Sequence, residues 1–374
     1  MKRVDHGILN CGEAGTPRAM STFPNFAVLT DGSLFATYRV GTTKDSADEM
    51  VEVRRSNDGG RTWSEPETPF PAPHAMGSSV KEVYITLLGG THLLAVALMV
   101  DRETYPGKGL FNEETEGVLP LSIALKDSHD NGKTWTDWRI MPVPDDVGPP
   151  SLTNPVMLLP SGRLAMSLEN NKHYHDSSKW YQRVDYFFSD DNGQTWNDRQ
   201  TVSQDPSGRV FYWDQRAGIC PDGRLVTYSW TYDSEIKKYL NIHRSFGSDE
   251  GTTWTEPEDI GITDQASHPA ILPDGRVVLA WVDRFQSQSI KARMSVTPEA
   301  PFLPETEVEL YKLETEPAGS ATDEGDTGEL LAEMSIWNYG LPFADVLPDG
   351  DVLVLHYEGD AEKMQVCWSR LVVE

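Results

Sequence analysis

The chain is short of cysteine, short of positive charge and without any long apolar run. Its 374 residues hold three cysteines, Cys11, Cys220 and Cys367, whose spacing suits neither a disulfide framework nor a thiol-paired metal site. Few unpaired thiols fit a reducing compartment, so a soluble, cytoplasmic protein is expected. No apolar stretch is long enough to span a bilayer, and the opening residues Met1-Lys2-Arg3-Val4-Asp5-His6 lack the apolar segment of a secretory leader. Lysine and arginine number 32 against 58 acids, a formal net charge of −26. Nucleic acid and anionic membrane both require basic surface, so neither is an expected partner. An anionic ligand would need a local basic pocket. The oligomeric state stays open.

What the chain does have is repetition. Four boxes share one pattern: Ser56-Asn57-Asp58-Gly59-Gly60-Arg61-Thr62-Trp63, Ser128-His129-Asp130-Asn131-Gly132-Lys133-Thr134-Trp135, Ser189-Asp190-Asp191-Asn192-Gly193-Gln194-Thr195-Trp196 and Gly247-Ser248-Asp249-Glu250-Gly251-Thr252-Thr253-Trp254. The Asp can accept hydrogen bonds from turn N–H groups, the Gly two residues on can take positive φ, and the Trp anchors the turn in apolar packing. The boxes recur about every 60 residues, a period typical of a propeller or an array.

A second repeat runs out of phase with the first. Apolar runs are broken at Asp31-Gly32, Gly89-Gly90, Ser161-Gly162, Asp222-Gly223, Asp274-Gly275 and Asp349-Gly350. Such dipeptides predict type I′ hairpins, with positive φ at both central residues. Six hairpins imply six units of four antiparallel strands: an all-β, six-bladed β-propeller forming a single domain over residues 1–374. The C-terminal run Gln365–Leu371 is expected to pair with N-terminal residues and close the ring. Two segments stand outside the repeat, Arg102–Pro120 and the acidic Glu305–Glu333 around Ser320-Ala321-Thr322-Asp323-Glu324-Gly325-Asp326. The acidic one reads as a solvated loop or as a lid over the pocket. Loops of this length are often functional.

The Asp boxes in phase with six hairpins resemble the sialidase (neuraminidase) superfamily over essentially the whole chain. The boxes lie on outer turns, so the resemblance speaks for fold, and function rests on the pocket strands. It implies an exo-acting glycoside hydrolase with a small carbohydrate as partner, and with no cofactor and no metal. In the family pattern the acid/base is an Asp ahead of an Arg-Arg-Ser; here the run Lys44–Ser56 places Asp45 there, with Asp48 in reserve. A carboxyl is needed to protonate the leaving oxygen. The second carboxylate, which activates a Tyr nucleophile, corresponds to Asp214 in Tyr212-Trp213-Asp214-Gln215-Arg216, or else Asp214 and Arg216 form a buried salt bridge. Tyr339 is the Tyr candidate, although it sits about two residues early. Glu358 in His356-Tyr357-Glu358-Gly359 matches a Glu that braces an arginine.

The departure from the family concerns arginine. Sialidases clamp the sugar carboxylate with three Arg side chains, whose paired N–H groups make the contact selective. Here the first position reads Thr22-Phe23-Pro24 and the second Tyr228-Ser229-Trp230-Thr231; the third has Asp283-Arg284. Arg39, Arg216 and Arg284 could rebuild a basic pocket, with Arg18 as readily a surface residue. Trp213 and Trp230 could stack on a sugar face, with Gln215 and His268 as further polar contacts. Glu82, Asn154, Ser267 and Glu169-Asn170 lie at pocket ends. His173 and His175 with Glu169 offer only a weak metal pattern. The expected substrate is therefore a glycoside other than an ordinary sialoside. The alternatives are a true exo-sialidase with a rearranged clamp, a lyase or other sugar-modifying enzyme, and a non-catalytic glycan-binding propeller.

Overall fold

The computed structural model describes residues 1–73, 78–314 and 323–374. It is an all-β, propeller-like fold in which four sheets stand as separate blades of sequence-consecutive strands. The first holds Ser78–Gly89, His92–Asp101, Leu121–Ser128 and Arg139–Met141; the second runs from Met157–Leu158 through Leu164–Glu169 and Arg183–Ser189 to Asp198–Gln204. The third is built on Val210–Ile219, Leu225–Asp233 and Asn241–Ser248, and the fourth on Val277–Asp283, Ser289–Ser295 and Leu303–Lys312.

The remaining seven strands form one compound sheet holding both chain ends. Tyr339–Val346, Val352–Gly359 and Met364–Val372 meet Met20–Val28, Leu34–Gly41 and Met50–Ser56 through a single parallel pair, Met20 with Met364. The expected end-to-end closure is present: Lys2–Asn10 pairs antiparallel with Met364–Val372, from Lys2 opposite Val372 to Asn10 opposite Val366. Among the described residues hydrogen bonding thus yields five sheets where the repeat predicts six.

The hairpins fall where the dipeptides predict, but the turn type differs. Gly32, Gly162, Gly223, Gly275 and Gly350 have positive φ while the residue before each does not. At Asp31-Gly32, Gly32 N–H donates to Leu29 O at 2.9 Å and Leu29 N–H to Ser33 O at 2.8 Å. The same pair of bonds recurs at the other four turns. This is a type I turn closed by a left-handed glycine, and at Asp31 the carboxylate fixes it by accepting from Ser33 N–H at 3.0 Å. Only Gly89-Gly90 carries positive φ at both positions.

Three Asp boxes are superimposable networks. Ser56 Oγ accepts from Gly60 N–H at 2.9 Å and donates to Asp58 Oδ1 at 2.8 Å, while Asp58 accepts from Thr62 N–H at 2.9 Å and Thr62 Oγ1 at 2.6 Å. Asp130 with Thr134 and Asp191 with Thr195 repeat it. The fourth box departs because Gly247 replaces the serine, removing the hydroxyl at its centre. Asp249 and Glu250 both turn left-handed there. Any side chain at Gly247 would meet the Trp254 ring at 2.8 Å, so the packing of the indole excludes the serine. Among the described residues no helix is long and apolar enough to cross a membrane.

Burial opposes the charge on Asp58, but its bonds to Thr62, Ser56 and Arg61 together hold the carboxyl at about 2. A folded value below the ordinary one means that the box contributes stability above about pH 4, and that this is lost as pH falls through 2. Asp58→Asn is therefore expected to lower Tm at pH 7 while leaving turnover unchanged. An unaltered thermal melt would show that the box does not support the fold.

Candidate functional site

The inner strands that wall the centre of the fold break register at corresponding places. Pairing skips between Thr22 and Asn25, between Val80 and Glu82, between Trp213 and Arg216, and between Gly340 and Phe343. A bulge turns a side chain out of the ladder, and the residues freed here include Phe23, Lys81, Asp214 and Leu341, all of which line one central cavity. Phe23, Asp214 and Leu341 hold left-handed backbone, at φ 53°, 45° and 43°. Non-glycine residues adopt this conformation at a cost, and such strain concentrates at functional sites.

The cavity has a volume of about 300 Å³. Both segments outside the repeat wall it. Leu110 and Phe111 come from the first and Leu331 from the second, with Met334 and Trp337 just beyond its end. Residues 315–322 of the acidic stretch, including Ser320-Ala321-Thr322, lie outside the described residues. Further along, the same stretch forms the helix Thr327–Glu333. Lys44 ties this wall down, donating from Nζ to Met334 O at 2.6 Å and Trp337 O at 2.8 Å.

Arg216 is the centre of the polar floor. It pairs with Asp214 Oδ1 at 2.6 Å, donates to the Tyr84 hydroxyl at 3.0 Å and also to Thr153 O. The Asp214–Arg216 salt bridge considered from sequence is thus present, and Gln265 Nε2 donates to the other Asp214 oxygen. Tyr84 leads on to Glu82 Oε2 at 3.4 Å. Glu169 Oε1 accepts from Gln215 N–H at 3.0 Å and from Thr153 Oγ1 at 3.3 Å. Burial is the main cause that raises both glutamates, Glu82 to about 7 and Glu169 to about 8, with the Asp214 charge adding in each case.

Asp45 lines the same cavity in the opposite state. Burial opposes its charge, but Lys81, the Arg102 hydrogen bond at 2.6 Å and the Leu110 N–H at 2.9 Å hold its carboxyl at about 2. It is ionised at neutral pH, so the proton donor expected at Asp45 is not found there in the resting site. Arg102 also bonds to Glu49, which faces Arg39 at 3.2 Å. These partners were missed in the sequence, where Glu49 and Arg102 look like ordinary loop charges. Asp48 is spent on the turn, accepting from Thr42 N–H at 3.2 Å. Arg18 pairs with the buried Glu52.

Other expectations are corrected. Tyr339 does not line the cavity; it packs in a neighbouring core against Tyr311, ring centres 5.2 Å apart. Tyr357, opposite Gly340 in the ladder, lines it instead, and burial pushes its hydroxyl up to about 12. Gly340 makes room, because a Cβ there would lie 3.0 Å from the Tyr357 hydroxyl and 2.9 Å from Arg284. Strand alternation turns Glu358 the other way, onto His356 and Gln365. Gln215 is fully buried and bonds to Ser203 and Ser229. His268 stacks on Phe343 at 4.6 Å and bonds to Asn154, and burial takes it down to about 3. Both are structural. His173 and His175 do not join Glu169 in a metal-ligating group among the described residues.

Arg39, Arg216 and Arg284 do line the cavity, joined by Lys44 and Lys81. Arg284 is fixed by Asp264 at 2.9 Å and Gln265 at 2.7 Å and lies 4.0 Å over the Trp337 ring. Thr22 and Arg39 are ladder partners, and Arg39 Nε donates to Thr22 Oγ1 at 3.2 Å. Trp213 and Trp230 are at the wall but nearly buried, each with a face against a tyrosine: Trp213 on Tyr232 at 5.2 Å and Trp230 on Tyr239 at 4.5 Å. The free sugar platform expected of them is not offered. Their indole N–H groups, with those of Trp180 and Trp337, are buried without an acceptor.

No family model and no curated protein matches the chain. Solved structures do. A Dyadobacter fermentans protein of unknown function is 21% identical and superimposes with a TM-score of 0.74, covering 100% of this chain and 99% of that one. The intramolecular trans-sialidase of Ruminococcus gnavus, solved with oseltamivir carboxylate, is 15% identical at TM-score 0.63, covering 96% of each chain. Trypanosoma rangeli sialidase, solved with sialic acid, is 13% identical at TM-score 0.61, covering 95% of this chain and 55% of its own. The fold is that of a sialidase-like β-propeller.

Glu169 keeps its proton in the folded state between about pH 4.5 and 8, whereas the unfolded chain would ionise. Stability conferred by this group is therefore full below the unfolded value and lost as pH rises through 8. Glu169→Gln, which keeps the neutral shape, should flatten the fall in denaturation midpoint between pH 5 and pH 8. An identical slope in both proteins would refute the buried, protonated state.

Proposed function

We propose that this protein is a sialidase-like, exo-acting glycoside hydrolase on a six-bladed propeller, acting on an acidic sugar other than an ordinary sialoside. The compound sheet is read as two blades joined at Met20–Met364. One observation carries the functional reading: carboxyls of opposite ionisation face one cavity, Asp45 held at about 2 and Glu169 raised to about 8. Carboxyls driven apart in this way are how one site supplies both an acid and an anion at neutral pH.

In this reading Glu169 donates the proton to the leaving oxygen. Asp214, oriented by Arg216 and Gln265, stands by the developing positive charge of the sugar or activates the nucleophile, and Asp45 adds a fixed negative charge. Lys44 favours an acidic sugar. Its amino group is buried among carbonyls, and burial together with Arg284, Arg39 and Lys81 pushes it well below its ordinary value. A substrate carboxylate would supply the missing anion.

A second reading has a specific observation behind it. The cations lie beside a tyrosine, with Lys44 5.0 Å over the Tyr357 ring and Arg39 on the ladder partner of the first clamp position. That arrangement suits a true sialidase with its clamp rebuilt from neighbouring strands.

Aryl uronides, aryl sialosides and neutral aryl glycosides should be compared at pH 6–8. Turnover is expected on a uronide and weak or absent on the sialoside, with Glu169→Gln and Asp214→Asn each losing about a hundredfold or more in kcat. Lys44→Met should raise KM for the acidic substrate alone. Efficient sialic acid release lost in Lys44→Met would establish the second reading, and loss in Asp45→Asn with Glu169→Gln active would return the proton donor to Asp45.

A further inference from the structure

Outside the cavity, the ladder between Val352–Gly359 and Met364–Val372 sets His356 opposite Cys367 and Glu358 opposite Gln365. Residues two apart on a strand share a face, and so do direct cross-strand partners. His356, Glu358 and Cys367 therefore project from one side of this pair. One ligand atom from each, an imidazole nitrogen, a carboxylate oxygen and the thiol sulfur, lies within 4.8 Å of the other two. It is the one such group among the described residues. We propose that His356, Glu358 and Cys367 form a binding site for a borderline-soft divalent metal ion of the zinc type.

The donor set fits that chemistry. Thiolate, imidazole and carboxylate together select zinc over calcium or magnesium, which prefer oxygen alone. A tetrahedral ion with bonds of about 2.0–2.3 Å needs donors roughly 3.5 Å apart, so small side-chain rotations would close the group. The imidazole has no other commitment. Its Nε2 meets Glu358 Oε2 at 3.1 Å, and its Nδ1 is buried with no partner. His356 and Cys367 are buried, while Glu358 is partly exposed. The ion would therefore enter past Glu358, and the fourth position would remain for water. Gln365 supplies the supporting contacts, donating to Glu358 Oε1 at 3.1 Å and to Cys367 Sγ at 3.5 Å. Outer partners of this kind orient metal ligands. Tyr311 stands nearby, its ring 6.2 Å from His356. Cys11 reaches Gln365 Oε1 at 3.8 Å but is exposed and outside the group.

The site was invisible to sequence spacing because its third ligand comes from the facing strand. Its test needs no substrate. The full chain, stripped with chelator and kept reduced, would be titrated with Zn²⁺ by calorimetry and with Co²⁺ by absorption. Expected are one equivalent bound, a thiolate-to-cobalt charge-transfer band in the near ultraviolet, and a rise in Tm with Zn²⁺. Cys367→Ser should abolish the band, and Glu358→Gln, a conservative change at a partly exposed position, should weaken binding at least about tenfold. Cys11→Ser should leave both intact. Absence of binding, or binding that survives Cys367→Ser and Glu358→Gln alike, would place any ion on the acidic surface and overturn the site.

Discussion

Arg216 is the ion on which the centre of this molecule depends. A guanidinium with almost no exposure must be met by partners, since removing one side of a buried pair costs about 3–5 kcal/mol. The partners come from three neighbouring parts of the ring: Tyr84 from one sheet, Thr153 from the approach to the next, and Asp214 from its own. One side chain therefore fixes how three blades meet. It also decides the protonation of its surroundings. Three carboxyls lie around a single cation, and Asp214 is the one in direct contact. Glu82 and Glu169, one residue further out through Tyr84 and Thr153, are raised because burial outweighs the pull of Arg216 on each. The raised glutamates thus arise from a local shortage of positive charge.

The same shortage governs the whole chain, with a net charge of −26. Against that background five basic residues line one cavity. The arginines among them have acid partners, Glu49 for Arg39, Asp214 for Arg216 and Asp264 for Arg284. Lys81 has Asp45 at 3.9 Å. Lys44 has carbonyl oxygens, and those belong to the wall formed by Met334 and Trp337. The Lys44 amino group therefore connects the cavity to that wall.

What could be seen in the sequence was what is encoded locally. The Asp boxes and hairpin dipeptides are complete within a few residues, so their positions emerged directly, although the glycines close type I turns where I′ turns were read. The site is not local. Asp214, Arg39, Arg216 and Arg284 were placed in the cavity because each sits near a strand end that the hairpin count locates. Tyr339 failed because the bulge after Gly340 shifts the register, and Tyr357 arrives from the facing strand. Trp213 and Trp230 do reach the cavity wall, but nothing nearby in sequence announces that Tyr232 and Tyr239 occupy their faces. Glu49 and Arg102 carry no motif at all. Their importance lies in long-range pairing.

Alternation along Val352–Gly359 joins two sets of chemistry in one strand. Tyr357 faces the cavity with Arg284 and Lys44 for neighbours, and the residues on either side of it, His356 and Glu358, face the opposite way toward Cys367. A side chain cannot change face without a slip of one residue, which would exchange the two sets completely. The eight cross-strand partners between this strand and Met364–Val372, backed by Lys2–Asn10 on the far side, oppose such a slip. The closure that joins the chain ends is thus also what holds Tyr357 to the cavity and the imidazole, carboxylate and thiol away from it.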